Sequence, residues 1–176
     1  MKIIGLTYFE GTYRMAMKSD SSLLQGQQPF FLPDWSRQIV AVPCLATRIT
    51  RMGRHISEKF VSRYFQEKAT ALNFRADDYL HLNRWTEGMA FDQAFALGEW
   101  VNADSFEAET TPTDISLEQA IVRISEVMTL RTGDIIFVDN GQPQPVQTGQ
   151  EYTLYINKTD SNGNREKREN LYCRIK

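Results

Sequence analysis

The sequence contains little histidine and little cysteine, and this shortage excludes several kinds of functional site. Only two histidines occur among 176 residues, His55 and His81, which is too few for a histidine-rich metal site and nearly excludes histidine-based catalytic triads. The two cysteines, Cys44 and Cys173, lie far apart and match no metal-binding or redox spacing. They predict free thiols in a reducing compartment, and therefore a cytoplasmic protein.

Long apolar runs and nucleotide-binding motifs are also missing. No run reaches the roughly eighteen apolar residues of a membrane-spanning helix, and the apolar run after Met1 is too short for a signal peptide. The sequence contains no nucleophile elbow, P-loop or dinucleotide fingerprint. A net charge of -2 gives no overall attraction to nucleic acid or to an anionic membrane. These absences predict no membrane association and leave nucleic-acid binding disfavoured.

Length and hydrophobicity favour a single domain over residues 1–176, because 41% hydrophobic residues is enough to build a core without disulfides or metals. Alternating and β-branched runs predict strands, and helical spacing of apolar residues predicts two or three helices. The expected fold class is therefore α+β, mostly β. The predicted strands cover residues 2–8, 39–50, 69–74, 94–101 and 135–138, followed by a terminal hairpin of residues 151–157 and 169–176 around Asn162-Gly163.

Two longer helices and one short one are predicted between these strands. Apolar residues recur at helical spacing from Ile56 over about three turns, with Ser57 placed as a cap. Ser116 and Gln119 have the spacing of a capping box, which predicts a helix running to Leu130. One or two helical turns are predicted within residues 76–84, and the acidic residues 102–114 are expected to form a loop.

Residues 39–54, "IVAVPCLATRITRMGR", run from an apolar strand into a basic turn and contain no acid. The wider basic segment, in which a solvated edge is favoured over an anion site, contains Arg48, Arg51, Arg54, His55, Lys59 and Arg63. A buried structural thiol is favoured for Cys44 over a nucleophile. Asp77 and Asp78 are best explained by an exposed helix start, and Asp139-Asn140-Gly141 by a turn.

Five phrases occur together in an order that resembles the fumarylacetoacetate hydrolase family. They are "MKII" at residues 1–4, "MKSDSSLLQGQQPFFLPDWS" at 17–36, "RITRMGRHISEKFVSRYF" at 48–65, "FDQAFALGEWV" at 91–101 and "TLRTGDIIFV" at 129–138. The resemblance implies a mixed β-sandwich or roll with two or three flanking helices, assembled as a homodimer. It also implies a pocket with Mg²⁺ or Mn²⁺, in which carbon–carbon bonds beside 2-oxo or 1,3-dicarbonyl groups are cleaved or rearranged.

Carried over position by position, the resemblance places few catalytic groups in this chain. The family's metal-binding carboxylates fall on Val42, Cys44 and Asn73, and its catalytic lysine falls on Met89. The lid histidine and glutamate fall on Gly11 and Arg14, in a segment near residues 11–17 that the comparison suggests is shortened. The family's late pocket loop falls on Asp139, Asn140 and Gly141. The resemblance thus predicts a chain with no catalytic residues at these positions and no metal or other cofactor.

Three functional hypotheses follow from this pattern. The first is a non-catalytic dimeric scaffold, whose apolar pocket binds a partner protein or a small uncharged ligand. The second is an enzyme with a reworked pocket that uses Cys44, Asn73, Asp78 and Asp139. The third is the family's metal-dependent hydrolase, decarboxylase or isomerase activity, with the nearby acids Asp77, Asp78 and Asp92 available to the metal.

Overall fold

The computed structural model describes residues 1–108, 114–159 and 165–176. Within these residues the chain is mostly β with short helices, which confirms the predicted α+β class. None of the helices in the described part is long and apolar enough to cross a bilayer. The elements are β1 (Ile3–Phe9), β2 (Thr12–Lys18), β3 (Leu23–Gln25), β4 (Ile39–Ile49), β5 (Phe65–Ala76), α1 (Asp77–His81), α2 (Trp85–Met89), β6 (Phe95–Leu97), β7 (Val101–Asn102), β8 (Phe106–Ala108), α3 (Leu117–Val127), β9 (Ile135–Asp139), β10 (Gln144–Pro145), β11 (Glu151–Thr159) and β12 (Arg165–Arg174), with 3-10 helices at Asp20–Ser22, Glu58–Tyr64 and Ala103–Ser105.

A mixed sheet of nine strands forms the centre of the described structure. Seven of its strands lie in the order β2-β1-β9-β4-β5-β6-β3, while β10 pairs with β4 and β7 pairs with β5. The β1–β9 and β3–β6 pairs are parallel, and the other pairs are antiparallel. A smaller sheet has the order β12-β11-β8. This arrangement places β1, β9, β4 and β5 side by side, and these strands carry the candidate site.

Helix α3 covers one face of the central sheet, as its apolar spacing predicts. Its start is a complete capping box: the Ser116 hydroxyl accepts a hydrogen bond from the Gln119 amide, and the Gln119 side chain accepts one from the Ser116 amide. The buried side chains of Ile121 and Ile124 belong to the same hydrophobic cluster as Ile136 of β9. Burial of this apolar face, together with the cap, stabilises the helix in its position on the sheet.

The helix predicted after Ile56 differs from the structure, which has a 3-10 helix at Glu58–Tyr64. Val61 and Tyr64 are three residues apart, and a turn of three residues brings both toward the cluster that contains α3. Ser57 lies at the start of this helix but makes no capping hydrogen bond through its side chain. The apolar spacing was therefore assigned to the wrong helical period.

Residues 12–18 form the strand β2, which the sequence pattern did not predict. Its side chains alternate between exposed and buried toward its end, where Met17 is exposed and Lys18 is buried. The described part of the acidic segment 102–114 also differs from a simple loop, since it contains a 3-10 helix and β8. Residues 109–113 of that segment lie outside the described residues.

The terminal hairpin is confirmed by the antiparallel pairing of β11 with β12. The Asn162-Gly163 turn that was predicted to join its strands lies outside the described residues. Other predicted strands correspond to β1, β4, β5 and β9, and the short helix predicted within 76–84 corresponds to α1. The single-domain organisation stays a prediction.

The capping box makes a testable contribution to stability. Replacing Ser116 with Ala removes the acceptor for the Gln119 amide, so we expect the free energy of unfolding to fall by about 1 kcal/mol. Urea denaturation measures this change. Ser57→Ala is the matched control, because Ser57 occupies the equivalent position of the 3-10 helix without capping it, and should change stability little. Equal losses in the two variants would contradict the assigned role of Ser116.

Candidate functional site

The positions singled out by the resemblance come together in the middle of the central sheet. Val42 of β4 lies opposite Asn73 of β5, and Cys44 of β4 lies opposite Asp139 of β9. All four side chains are at most 2% exposed. The strands therefore place these four residues close together, in a position that solvent does not reach.

Asp139 accepts hydrogen bonds on both oxygens of its carboxylate. Oδ1 accepts one from the Asn73 side-chain amide at 2.9 Å. Oδ2 accepts one from the Thr7 hydroxyl, one from the Tyr8 backbone amide at 3.0 Å and one from the Arg75 guanidinium at 3.3 Å. The sequence pattern had assigned Asp139 to a turn. This assignment is corrected, because Asp139 is the last residue of β9 and a buried partner of Arg75.

Arg75 completes this buried group of side chains. Its Nη1 donates to the Thr7 hydroxyl and to the Tyr8 carbonyl, each at 2.8 Å, and its Nε donates to Asp77 Oδ1 at 2.7 Å. Its guanidinium carbon also lies 5.4 Å from the centroid of the Phe9 ring. We name Thr7, Asn73, Arg75 and Asp139 the central polar cluster. It corrects the apolar pocket expected here, because a buried ion pair with its hydrogen-bonding partners occupies the position.

Lys18 is a further buried basic side chain beside this cluster. It comes from the end of β2, and its Nζ donates to the backbone carbonyls of Phe74 at 2.8 Å and Met89 at 2.7 Å. Met89, the position to which the resemblance assigns a lysine, is the last residue of α2, and its backbone carbonyl is one of the acceptors for Lys18. The signal in the sequence that could have indicated a buried lysine is its position at the end of the alternating run "TYRMAMK". The signal for Arg75 is its position within the apolar run "ALNFRA", where a charged side chain requires a buried partner.

Burial dominates the protonation chemistry of the centre. It lowers the pKa of Lys18 from 10.5 to about 7, although the negative charge of Asp139 acts in the opposite direction. Burial raises the pKa of Asp139, while Arg75 and the hydrogen bonds to the carboxylate oppose that rise. Burial also raises the pKa of the Cys44 thiol well above its ordinary value. Since the thiolate is the reactive form, Cys44 has the properties of a structural thiol.

The remaining predicted positions lie away from the central polar cluster or serve other contacts. Gly11 is at the exposed tip of the β1–β2 hairpin, and Arg14 pairs with Glu10 at 3.5 Å and lies over Trp85. Asp78 accepts hydrogen bonds from the Ser36 hydroxyl and the Arg37 amide. Asn140 is buried, and its backbone amide donates to the Pro43 carbonyl at 2.7 Å. Asp77 contacts Arg75, whereas Asp92 is exposed. Asp78 therefore does not join Cys44, Asn73 and Asp139 in one site.

The donor set at the centre offers little to a hard divalent cation, which prefers oxygen ligands. Val42 has no donor atom, and Cys44 has a soft sulfur. Among the described residues, Asn73 Oδ1 is the one buried side-chain polar atom without a hydrogen-bond partner. The described residues contain no group of three or more His, Cys, Asp or Glu side chains arranged to hold a metal.

Comparison with solved structures identifies the fold as the one found in fumarylacetoacetate hydrolase family proteins. A protein from Yersinia pestis CO92 assigned to that family has a TM-score of 0.79 at 19% identity, over 99% of this chain and 92% of its own. The 5-carboxymethyl-2-hydroxymuconate delta-isomerase from Mycobacterium smegmatis has a TM-score of 0.78 at 16% identity, over 99% and 78%. No family model and no curated protein matches the sequence.

A third neighbour corrects the prediction that no cofactor belongs with this chain. The fumarylpyruvate hydrolase from Pseudomonas aeruginosa, with a TM-score of 0.75 and 15% identity over 99% of this chain and 89% of its own, was solved in complex with Mn²⁺ and pyruvate. A protein of this fold thus binds a metal, and the expectation of no cofactor is wrong. The predicted homodimer and the predicted cytoplasmic location stay predictions.

The ion pair of Asp139 and Arg75 gives a first prediction for this site. Asp139→Asn removes the negative charge and leaves Arg75 buried with Asp77 as its remaining acid, so we expect stability to fall by about 3–5 kcal/mol. Urea denaturation measures the loss. Glu87→Gln is the control, because the exposed pair of Glu87 and Arg84 should contribute little. A loss no larger than that of the control would show that the buried pair is dispensable.

Lys18 gives a second prediction, in the pH dependence of stability. Between about pH 7 and pH 10.5 the unfolded chain keeps a proton on Lys18 that the folded chain has released. The free energy of unfolding should therefore rise with pH across this window, and Lys18→Met should remove that rise. Urea denaturation of both proteins at several pH values isolates the effect, because the other titrating groups are shared. Parallel pH curves for the two proteins would contradict the lowered pKa.

Proposed function

We propose that this chain is a non-catalytic scaffold with the fumarylacetoacetate hydrolase fold, which binds a partner instead of converting a substrate. The observation that carries this proposal is that the central polar cluster is closed to solvent. Asn73, Arg75 and Asp139 are each at most 2% exposed, and the two charged groups are paired with each other. The proteins of known structure that share this fold include enzymes, namely a delta-isomerase and a fumarylpyruvate hydrolase. Fold alone does not determine activity, which depends on the groups at the site.

The energetics of the central polar cluster oppose substrate entry. A substrate anion that approached Arg75 would have to displace Asp139 from a pair that is also hydrogen-bonded to Thr7. Separating a buried ion pair in this way costs about 3–5 kcal/mol, because one charge is left without a partner. The closed arrangement is therefore the stable one. Cys44, whose thiol has a raised pKa, supplies no alternative nucleophile at neutral pH.

A second candidate function is cleavage or rearrangement of a carbon–carbon bond beside a 2-oxo group. One specific observation favours it: Lys18 Nζ lies 2.7 Å from the carbonyl of Met89, where the resemblance expects a lysine. A lysine with a pKa of about 7 is suited to general acid–base catalysis at neutral pH. In this candidate, Lys18 would accept a proton from the carbon next to the substrate carbonyl.

A turnover assay separates the two candidates. The purified protein is incubated with fumarylpyruvate, acetylpyruvate or oxaloacetate, with Mn²⁺ or Mg²⁺ added, and the loss of the substrate's ultraviolet absorbance is followed. We expect rates equal to those of the cation alone, because the centre is closed. The P. aeruginosa fumarylpyruvate hydrolase serves as the positive control for the assay conditions.

Turnover above the cation background would overturn the scaffold proposal. The second candidate would then require the activity to disappear in Lys18→Met and to persist in Lys176→Met, which removes an exposed lysine. Activity that survives both substitutions would point to chemistry outside the centre described here. Loss of activity in Lys18→Met counts as a catalytic effect only if this variant is folded, which is shown by an unfolding transition like that of the wild type.

A further inference from the structure

One exposed surface combines unpaired positive charge with apolar side chains. It consists of Arg51, Met52, Arg54, Lys59, Phe60 and Arg63, which we name the basic surface. Its four cations form no ion pair within the residues that the structure describes. Arg48, Arg84 and Arg168, by contrast, each pair with a glutamate. The cations of the basic surface are therefore available to an external anion.

The loop that begins this surface is held rigidly by the backbone. Gly53 and Leu130 exchange two backbone hydrogen bonds, of 3.0 and 2.8 Å. The amides of His55 and Ile56 donate to the carbonyl and the hydroxyl of Ser125, each at 2.9 Å. His55 has a positive φ of 52°, which these bonds maintain. The loop is thus ordered before any partner binds, which reduces the entropic cost of binding.

Close packing of the loop against the 3-10 helix also holds the loop in place. A Cβ at Gly53 would lie 2.4 Å from the ring of Tyr64, so any other residue here would have to displace that side chain of the 3-10 helix Glu58–Tyr64. The Thr50 amide also donates to the Tyr64 carbonyl at 2.8 Å. The arginines of the loop and the cations of the 3-10 helix consequently belong to one fixed unit.

The two apolar side chains of the basic surface are exposed to solvent. Met52 is 66% exposed and Phe60 is 40% exposed. The guanidinium of Arg63 lies 4.7 Å from the centroid of the Phe60 ring, and the ammonium of Lys59 lies 5.5 Å from it. Methionine, aromatic residues and arginine are enriched in protein–protein interfaces. This composition indicates a protein partner.

The charges define the partner's chemistry. The stretch from Arg51 to Arg63 contains four cations and a single acid, Glu58, whereas the whole chain has a net charge of -2. Glu126, next to Ser125 on α3, is a second acid near the loop. Positive charge still exceeds negative charge on this surface, and complementary charge favours an acidic partner.

We propose that the basic surface binds an acidic peptide segment of a partner protein, with an apolar side chain of that segment seated on Met52 and Phe60. Nucleic acid fits less well, because Phe60 is the single aromatic residue of the surface and the stacking of successive bases needs several. A membrane fits less well, because two apolar side chains do not form the long amphipathic face that inserts into lipid. The inference rests on the scaffold function proposed above and names the kind of partner.

Selection from a random peptide library tests this proposal without the natural partner. A library of displayed 12-residue peptides is selected against the wild-type protein, and enriched peptides are measured by fluorescence anisotropy. We expect enriched peptides to combine Asp or Glu with at least one apolar residue. Their affinity should fall at least about tenfold in the double variant Arg54→Glu with Arg63→Glu, and several-fold in Phe60→Ala, as for residues at the centre of an interface.

The control variant Arg37→Glu with Lys176→Glu makes the same change in net charge at two other exposed positions and should bind as the wild type does. Thermal unfolding verifies that every variant is folded. Failure to enrich peptides, enrichment of peptides without acids, or equal affinity for the charge-reversed variant would overturn the proposal. Tighter binding of a 20-nucleotide single-stranded DNA or of phosphatidylserine vesicles, lost in the same variant, would overturn it in favour of those ligands.

These binding results are independent of the turnover assay. Turnover with intact peptide binding would overturn the scaffold function and leave the binding surface standing. Absence of both turnover and peptide binding would overturn the basic-surface inference alone. The two proposals can therefore fail separately.

Discussion

The interaction on which the centre of this structure depends is the buried pair of Asp139 and Arg75. A charge that is removed from water needs a partner of opposite sign and hydrogen bonds for its remaining donors or acceptors. That requirement explains the positions of Thr7 and Asn73, which fill the remaining contacts of the carboxylate. The pair also joins β9 to β5 across the intervening strand β4, while Thr7 ties β1 to the same group. The sheet is thus held together by polar contacts as well as by its apolar faces.

Local sequence pattern was sufficient to predict the helices and strands in which buried residues recur at a regular spacing. The capping box and apolar face of α3, the apolar strand β9 and the alternating strands of the terminal hairpin were all predictable, because the residues that define them are close in sequence. The 3-10 helix Glu58–Tyr64 was missed because helical periods of 3.0 and 3.6 are difficult to separate over seven residues. Strand β2 was missed because its first residues are polar and partly exposed.

The central polar cluster could not be predicted from local sequence pattern, for a different reason. Asp139, Asn140 and Gly141 have the composition of a turn, and nothing beside them in sequence indicates a buried carboxylate. The partners of Asp139 lie far away along the chain, with Thr7 separated by 132 residues and Arg75 by 64. The resemblance to a family pointed to positions on β4, β5 and β9, and the strand pairing places Val42, Cys44, Asn73 and Asp139 beside one another. It assigned no role to Lys18, although this lysine lies within the family-like phrase at residues 17–36.

Charged side chains are paired with each other in the central polar cluster but not on the basic surface of the described structure, and this difference bears on function. At the centre, Arg75 and Asp139 satisfy each other, so an incoming ligand would have to break contacts before it could make new ones. On the basic surface, Arg54 and Arg63 have no acidic partner within the described residues, and the loop beneath is already fixed by Ser125 and Leu130. An external anion could therefore gain contacts there without disrupting existing ones. Contact with an external anion is therefore favoured at the basic surface, whereas the charges at the centre already stabilise the protein by pairing with each other.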